Sequence, residues 1–485
     1  MTERAPQQLA RIVVAFGCAW LLAVWVTHRV VGGDTPWLVD GTDQLVRCLS
    51  AGDLVKCGYT GQLTATGQTT TIGPYPVLQY IPDLIARSLG ATHHSRYAVL
   101  ALLSTAAVVA AVAVAARVLA RLGLSTWAWA FLAVVLSGPV LVYANTTWGE
   151  MLAAALLVFL AAAALVQAPA PLFAAAAFAA CLAKETSYPF VAAIALVGLV
   201  LARRRTGRSI RPQVIAGAMG MVLAFALASA FNILRFGAID NTNYLRSDFT
   251  TPLGRIPDTV LGLYFAPNGG ILVFWASATV LLAALLVPPL VRRRDLSISL
   301  TIALVAAGLT LSLASWYSPF GWVAWGPRLS LPWVLPLVLL ALAAFGRELT
   351  SPAGRLLRPA WRFAVVALAV VFLTLPHVGY LWRPETKDEF FALSRNNPDC
   401  DDPQGSPGYY SCLHETMWSR RPIVNTALKG LGEPGGTATA IAVGAALIGC
   451  LALLRRGLLI SATDQGRDVT RVQVDGDLGP DAVHL

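Results

Sequence analysis

Apolar residues along this chain come in long runs broken by short polar stretches. The runs cover residues 12–27, 97–116, 127–143, 151–166, 214–230, 271–291, 298–313 and 331–344. A helix needs about 20 such residues to cross the hydrocarbon of a bilayer, and the shorter runs reach that length once their flanks are included. The pattern predicts about twelve spanning helices, starting near residues 12, 97, 126, 150, 171, 188, 213, 270, 296, 329, 363 and 438. The fold class expected is therefore all-α, a polytopic integral membrane protein. The run over 12–27 could pass for a signal peptide. No small-residue cleavage site follows it, since His28-Arg29-Val30-Val31 come next, so it reads as a retained first helix.

Composition agrees. Of 485 residues, 56% are hydrophobic and 13% charged, more apolar surface than one soluble core can hide. The net charge of +10 would suggest nucleic acid in a soluble protein. Here the arginines stand at the ends of the runs, where they report topology and not nucleic acid, and membrane lipid is the expected surrounding partner. Arg4, Arg11, Arg117, Arg121, Arg203 to Arg205, Arg208, Arg211, Arg292 to Arg294, the stretch from Arg347 to Arg362, and Arg455-Arg456 fall on one side if the runs alternate. The positive-inside rule makes that side cytoplasmic, with both termini there.

The cysteines point the same way. Cys48 and Cys57 follow the first run, and Cys400 and Cys412 precede the last, both in loops on the exported side, where an oxidising compartment favours disulfides. Two short links are expected, although four cysteines allow three pairings. Cys18, Cys181 and Cys450 fall inside runs as small apolar residues. The organisation expected is a transmembrane domain over 1–457 and a polar, disordered cytoplasmic tail over 458–485. The domain carries a first extracytoplasmic loop over 28–95 and a last one over 381–437. Long outer loops on a rigid scaffold are where function concentrates.

Ionisable groups near hydrocarbon are costly, and several gather at the outer edge. Asp34, Asp40 and Asp43 follow the first run in GGDTPWLVDGTDQ; Glu150 opens the run in ANTTWGEM; Lys184 and Glu185 close one in CLAKETSYPF; Arg328 opens one in WVAWGPRLSLP. An acid at a helix N-terminus complements the dipole, which alone could account for Glu150, and Lys184 with Glu185 could snorkel or pair. Arg328 opposes both the dipole and the positive-inside trend, so it most needs a functional reason. Carboxylates with cations at a membrane edge suit transfer of a sugar from a lipid phosphate. A carboxylate takes the proton of the acceptor hydroxyl, and cations stabilise the departing phosphate.

The order of these features resembles the GT-C superfamily of membrane glycosyltransferases, which includes protein O-mannosyltransferases and bacterial lipid A aminoarabinose transferases. Asp40-Gly-Thr-Asp43 resembles the acidic motif of the family's first outer loop. Gly73-Pro-Tyr-Pro-Val-Leu-Gln-Tyr80 resembles the amphipathic stretch that follows it, expected to lie along the membrane surface. Glu150 and Lys184 match an acid after the third helix and a lysine turn after the fifth. Asn232-Ile-Leu-Arg-Phe-Gly237 with Asn243-Tyr244, Gly262-Leu-Tyr-Phe-Ala-Pro-Asn-Gly-Gly270, and Trp316 to Trp322 with Trp325-Gly-Pro-Arg328 are similar to segments of bacterial members. The chain departs from the pattern at Gln44 and Leu329, where tyrosine is common in the family. It also has no soluble C-terminal sugar-binding domain, which in the family goes with a small or lipid-linked acceptor.

The resemblance implies an inverting glycosyltransferase that takes a sugar, mannose or arabinose, from a polyprenyl-phosphate donor and gives it to a lipid-linked or glycan acceptor on the extracytoplasmic face. It implies Asp40 as base, with Asp43 in reserve and Asp34 still open. Arg328 and Lys184 would hold the donor phosphate. Glu150, Tyr75, Tyr80, Tyr244 and Trp325 would line the pocket, although interfacial aromatics also serve as simple anchors. His93-His94 read as a hydrated pair and not as metal ligands. Some family members use a divalent cation and others do not, so the cofactor stays open. A lipid-linked sugar flippase would place charge at the midplane and repeat its halves, and the runs show neither. An inactive scaffold subunit of an envelope-building complex is the other alternative. The Ala/Val/Arg-rich composition suggests a high-GC bacterium of actinobacterial type.

Overall fold

The computed structural model describes residues 35–52, 62–63, 69–70, 76–146, 149–184, 187–240, 251–291, 296–315, 325–326, 328–383, 386, 407–419 and 422–476. Within them the chain is helical apart from turns and one two-residue antiparallel ladder, Gln62–Leu63 with Thr69–Thr70. The helices are α1 (Thr35–Ala51), α2 (Val77–Ser88), α3 (His93–Arg121), α4 (Ser125–Leu136), α5 (Val140–Tyr143), α6 (Gly149–Leu165), α7 (Ala170–Ala183), α8 (Tyr188–Thr206) and α9 (Arg211–Phe236). They continue as α10 (Ile256–Phe265), α11 (Ile271–Phe274), α12 (Ala276–Val291), α13 (Leu296–Ala314), α14 (Leu331–Leu356), α15 (Ala360–Trp382), α16 (Pro407–Met417), α17 (Ile423–Ala427) and α18 (Pro434–Gly476).

Each expected run that falls on described residues is helical, although 127–143 is broken between α4 and α5 and 271–291 between α11 and α12. Among the described residues six helices are long and apolar enough to cross a membrane, and four more apolar helices are shorter. The chain is an all-α, multi-pass membrane protein. The run over 12–27 lies outside the described residues.

Two helices form the centre of the bundle. In α6 the sequence GEMLAAALLVFLAAAAL is apolar all round, and nearly all of it is buried against α3, α7, α8 and α14. Its alanines let neighbouring backbones approach closely, which is how helices pack where lipid supplies no hydrophobic drive. The apolar part of α14 is buried just as deeply. Around them α9, α13, α15 and α18 turn large apolar side chains outward, among them Leu223, Leu304, Leu368 and Ile448. A soluble surface would not carry such patches, whereas lipid tails are as apolar as leucine.

The two ends of the bundle differ. At one end arginines cap helix carbonyls. Arg347 donates to Leu122 O beyond α3, and Arg455 donates to Leu357 O and Arg358 O beyond α14. These acceptors are carbonyls left over at helix C-termini, where positive charge is also favoured by the dipole. The opposite end holds the start of α6, the end of α7 and the turn before α14, with α1 and α2 beside them.

Three differences from the sequence reading stand out. The segment carrying Asp40 and Asp43 is helical, not an open loop: Leu38, Val39, Thr42, Leu45 and Cys48 are buried on one face at helical spacing. The expected unstructured tail from 458 is helical over its described part, since α18 continues to Gly476; extending a nucleated helix costs far less than starting one. Finally, no two cysteines among the described residues bond to each other. Cys181 and Cys450 are free and buried, while Cys48 and Cys412 are each disulfide-bonded to a partner outside the described residues. Cys57 and Cys400 fall outside them as well.

Candidate active site

Glu150 lies in the first turn of α6, Lys184 caps the C-terminal end of α7, and Arg328 opens a 3-10 turn, Arg328–Ser330, that leads into α14. The fold brings the three together. Lys184 Nζ is 2.5 Å from Glu150 Oε1, and Arg328 Nε is 3.3 Å from the same oxygen. The carboxylate is 4% exposed, the cations 19% and 13%. Two cations thus converge on one buried carboxylate where three helix ends meet.

Local sequence explains the closeness. Gly149 stands where α2 and α7 both crowd α6: a Cβ there would lie 2.6 Å from the Gln79 amide nitrogen and 2.9 Å from Ala183 O. Arg328 is reached through a framed turn. Gly326 has φ +66°, and a Cβ on it would strike the Phe274 ring, so the bend is one only glycine takes readily. Trp325, which the sequence offered for the pocket, is buried beneath this bend as part of its frame. Its ring stacks on Tyr380 with centroids 4.3 Å apart, its indole N–H donates to His377 Nδ1 at 2.9 Å, and its carbonyl accepts from Tyr143 OH at 2.8 Å. His377 in turn donates from Nε2 to Phe274 O at 2.8 Å.

A second charged group joins α1, α2 and α3. Arg96, 2% exposed, grips Asp83 through Nε at 2.7 Å and Nη2 at 2.6 Å. Its Nη1 donates to Asp43 at 2.8 Å and its Nη2 to Val39 O at 3.1 Å. Arg87 and His93 complete the shell of Asp43 at 2.7 and 2.9 Å. Partial burial alone would raise the Asp43 carboxyl. The hydrogen bonds from Arg96 and Arg87, with His93, outweigh that and hold it below the usual carboxylate range. Asp40 is exposed on the same helix, one turn earlier.

Helix α2 carries a residue into each group. Gln79 reaches the start of α6 and Asp83 reaches Arg96, and a single helical turn of about 6 Å separates them. Tyr80, expected in the pocket, instead packs between α1 and α9, edge-on to Phe231 at 5.4 Å. Asp34, Tyr75 and Tyr244 lie outside the described residues. Among the described residues no group of three His, Cys, Asp or Glu side chains could hold a metal ion. Sequence reasoning passed over Gln79, Asp83, Arg96, Tyr143, His377 and Tyr380. Only His377, a lone ionisable residue inside an apolar run, gave a signal.

No protein-family model matches the chain, and no curated protein matches it. Two crystal structures of ArnT from Cupriavidus metallidurans are similar to it at 16% identity and a TM-score of 0.46. The one bound to undecaprenyl phosphate aligns over 96% of this chain and 81% of its own; the apo form aligns over 92% and 77%.

Proposed function

We propose that the chain is an inverting membrane glycosyltransferase of the GT-C type, moving a sugar from a polyprenyl-phosphate donor to a lipid-linked or glycan acceptor at the extracytoplasmic face. One observation carries the reading: Lys184 and Arg328 converge on buried Glu150 at the end of the bundle opposite the arginine-capped helix termini. By the positive-inside rule the capped end is cytoplasmic, which puts the cations at the outer membrane edge, where a lipid phosphate sits.

In this reading Lys184 and Arg328 bind the donor phosphate, and Glu150 sets the distance between them. Asp40 is the base. Asp43, held ionised by Arg96 and Arg87, is the poorer proton acceptor. The acceptor hydroxyl attacks the anomeric carbon from the face opposite the phosphate, and its proton passes to the Asp40 carboxylate. The bond from the anomeric carbon to the phosphate oxygen breaks, the configuration inverts, and the charge gained by the departing phosphate is met by the two cations. Tyr75 and Tyr244 are assigned to the pocket on the sequence resemblance.

The test is turnover of radiolabelled polyprenyl-phosphate mannose and arabinose by membranes carrying wild type, Asp40→Asn or Arg328→Ala. Transfer by wild type, lost in both variants at equal expression, is the expected result. Asp40→Asn should still bind donor, whereas Arg328→Ala should not. Movement of the lipid across the membrane without transfer of its sugar would sink the transferase and favour a flippase.

A further inference from the structure

Resting on the reading of Asp40 as the base, we propose that Arg96 is the positioning residue that aims it. Arg96 touches neither the Lys184–Glu150–Arg328 group nor Asp40 itself in the bonds described above, yet it grips α1 on both sides of Asp40. Its Nη2 holds the Val39 carbonyl, in the peptide unit that leads into Asp40, and its Nη1 holds the Asp43 carboxylate one turn on. Residues four apart share a helix face, so holding Val39 O and Asp43 together fixes the rotation of α1 about its axis. That rotation decides where Asp40 points.

The grip is anchored from behind. Asp83 is fully buried and meets the Nε edge of the guanidinium with both oxygens, at 2.7 and 2.6 Å. Arg96 is thus a fixed fork, with one edge bound to α2 and the other reaching α1. The planar guanidinium has five donors, and four of the bonds it makes here run in fixed directions. Lysine, with one flexible ammonium, can keep the pair with Asp83 but cannot also span Val39 O and Asp43. A buried arginine that served only to stabilise the bundle would need no bond to the backbone beside the base. The same arrangement accounts for Asp43, which acts as the handle by which α1 is held and not as a second base.

The experiment uses the full chain in lipid nanodiscs. Binding and turnover of polyprenyl-phosphate mannose and arabinose are measured for wild type, Asp40→Asn, Arg96→Lys and Asp43→Asn, with amide exchange of residues 35–51 and 77–88 followed in parallel. Arg96→Lys is expected to bind donor within about twofold of wild type and to lose about 100-fold in kcat, the scale of a 1 Å misplacement. Residues 35–51 should exchange about tenfold faster while 77–88 keep their protection. Asp43→Asn leaves the buried Arg96–Asp83 pair whole and serves if Arg96→Lys does not fold; it should show the same split with a smaller loss. Unchanged kcat, unchanged exchange of 35–51, or a parallel fall of binding and kcat would each overturn the proposal. A wild type that transfers no sugar would instead sink the transferase reading, and an Asp40→Asn that still transfers it would sink Asp40 as the base; in both cases the exchange data would still decide whether Arg96 fixes α1.

Discussion

Lys184 Nζ lies 2.5 Å from Glu150 Oε1 although 34 residues separate them, because α6 begins where α7 ends. Each charge already sits at the helix end that favours it, the acid at an N-terminus and the base at a C-terminus. Arg328 is different. It stands at the start of a helical segment, against the dipole, and the shared Glu150 carboxylate compensates for that position.

Glu150→Gln keeps the shape of the side chain and removes its charge. Breaking a buried ion pair by changing one partner costs about 3–5 kcal/mol, so the variant should melt well below wild type. Glu150→Gln combined with Lys184→Met should recover part of the loss. A double-mutant cycle on thermal unfolding should give a coupling of about 0.5–3 kcal/mol; additive effects would show that the pair is not formed.

Gly149→Ala tests the close approach of α2. The new methyl would press on the Gln79 amide and Ala183 O, an overpacking that costs about 1–3 kcal/mol. Because α2 carries residues into both charged groups, sugar transfer should fall more than stability does. Gln79→Ala in the same chain should relieve the clash and restore part of the transfer. Activity equal to wild type in Gly149→Ala would mean that α2 is free to move without consequence.

Part of this arrangement was legible before the structure. Glu150, Lys184 and Arg328 each stood out as an ionisable group at the edge of an apolar run, and their convergence follows from the alternation of the runs. The helix that carries Asp40 did not stand out. Its glycine, proline and two acids read as a loop, and the burial of Leu38, Val39, Thr42, Leu45 and Cys48 is one-sided and short. Arg96 was harder still. Next to the start of a span it reads as a topology signal, and its partners Asp83, Asp43 and Val39 lie on two other helices, a tertiary relationship that no local pattern encodes. Trp325 read as a pocket aromatic, whereas its hydrogen bonds make it a brace for the turn before Arg328.

Acid should loosen α1. The folded Asp43 carboxyl is held below its ordinary value of 3.8, so its bonds to Arg96, Arg87 and His93 contribute fully above that pH. The contribution is lost as pH falls below 3.8 through the lower folded value. Amide exchange of residues 35–51, corrected for intrinsic rate, should therefore rise in this window in wild type. In Asp43→Asn the rise should be absent and exchange already fast at neutral pH. A wild type whose exchange is flat through the window would rule out this carboxylate as the holder of α1.

His377 should prove structural for Arg328 despite its distance in sequence. Its Nε2 donates to the Phe274 carbonyl, so Nδ1 is the acceptor for the Trp325 indole, which defines the neutral tautomer with hydrogen on Nε2. His377→Phe fills the space but leaves a buried N–H and a buried carbonyl without these bonds. Each such loss costs about 1–3 kcal/mol, so a marked fall in Tm is expected. The turn through Gly326 would then lose one of its two braces, the other being Tyr143 OH on Trp325 O. Donor affinity should fall with it, because Arg328 is two residues further on, while Asp40, on a separate helix, stays in place. The discriminating measurement compares donor binding at a temperature where the variant is folded. Weakened binding there supports a brace that sets Arg328; wild-type binding confines His377 to the stability of the bundle.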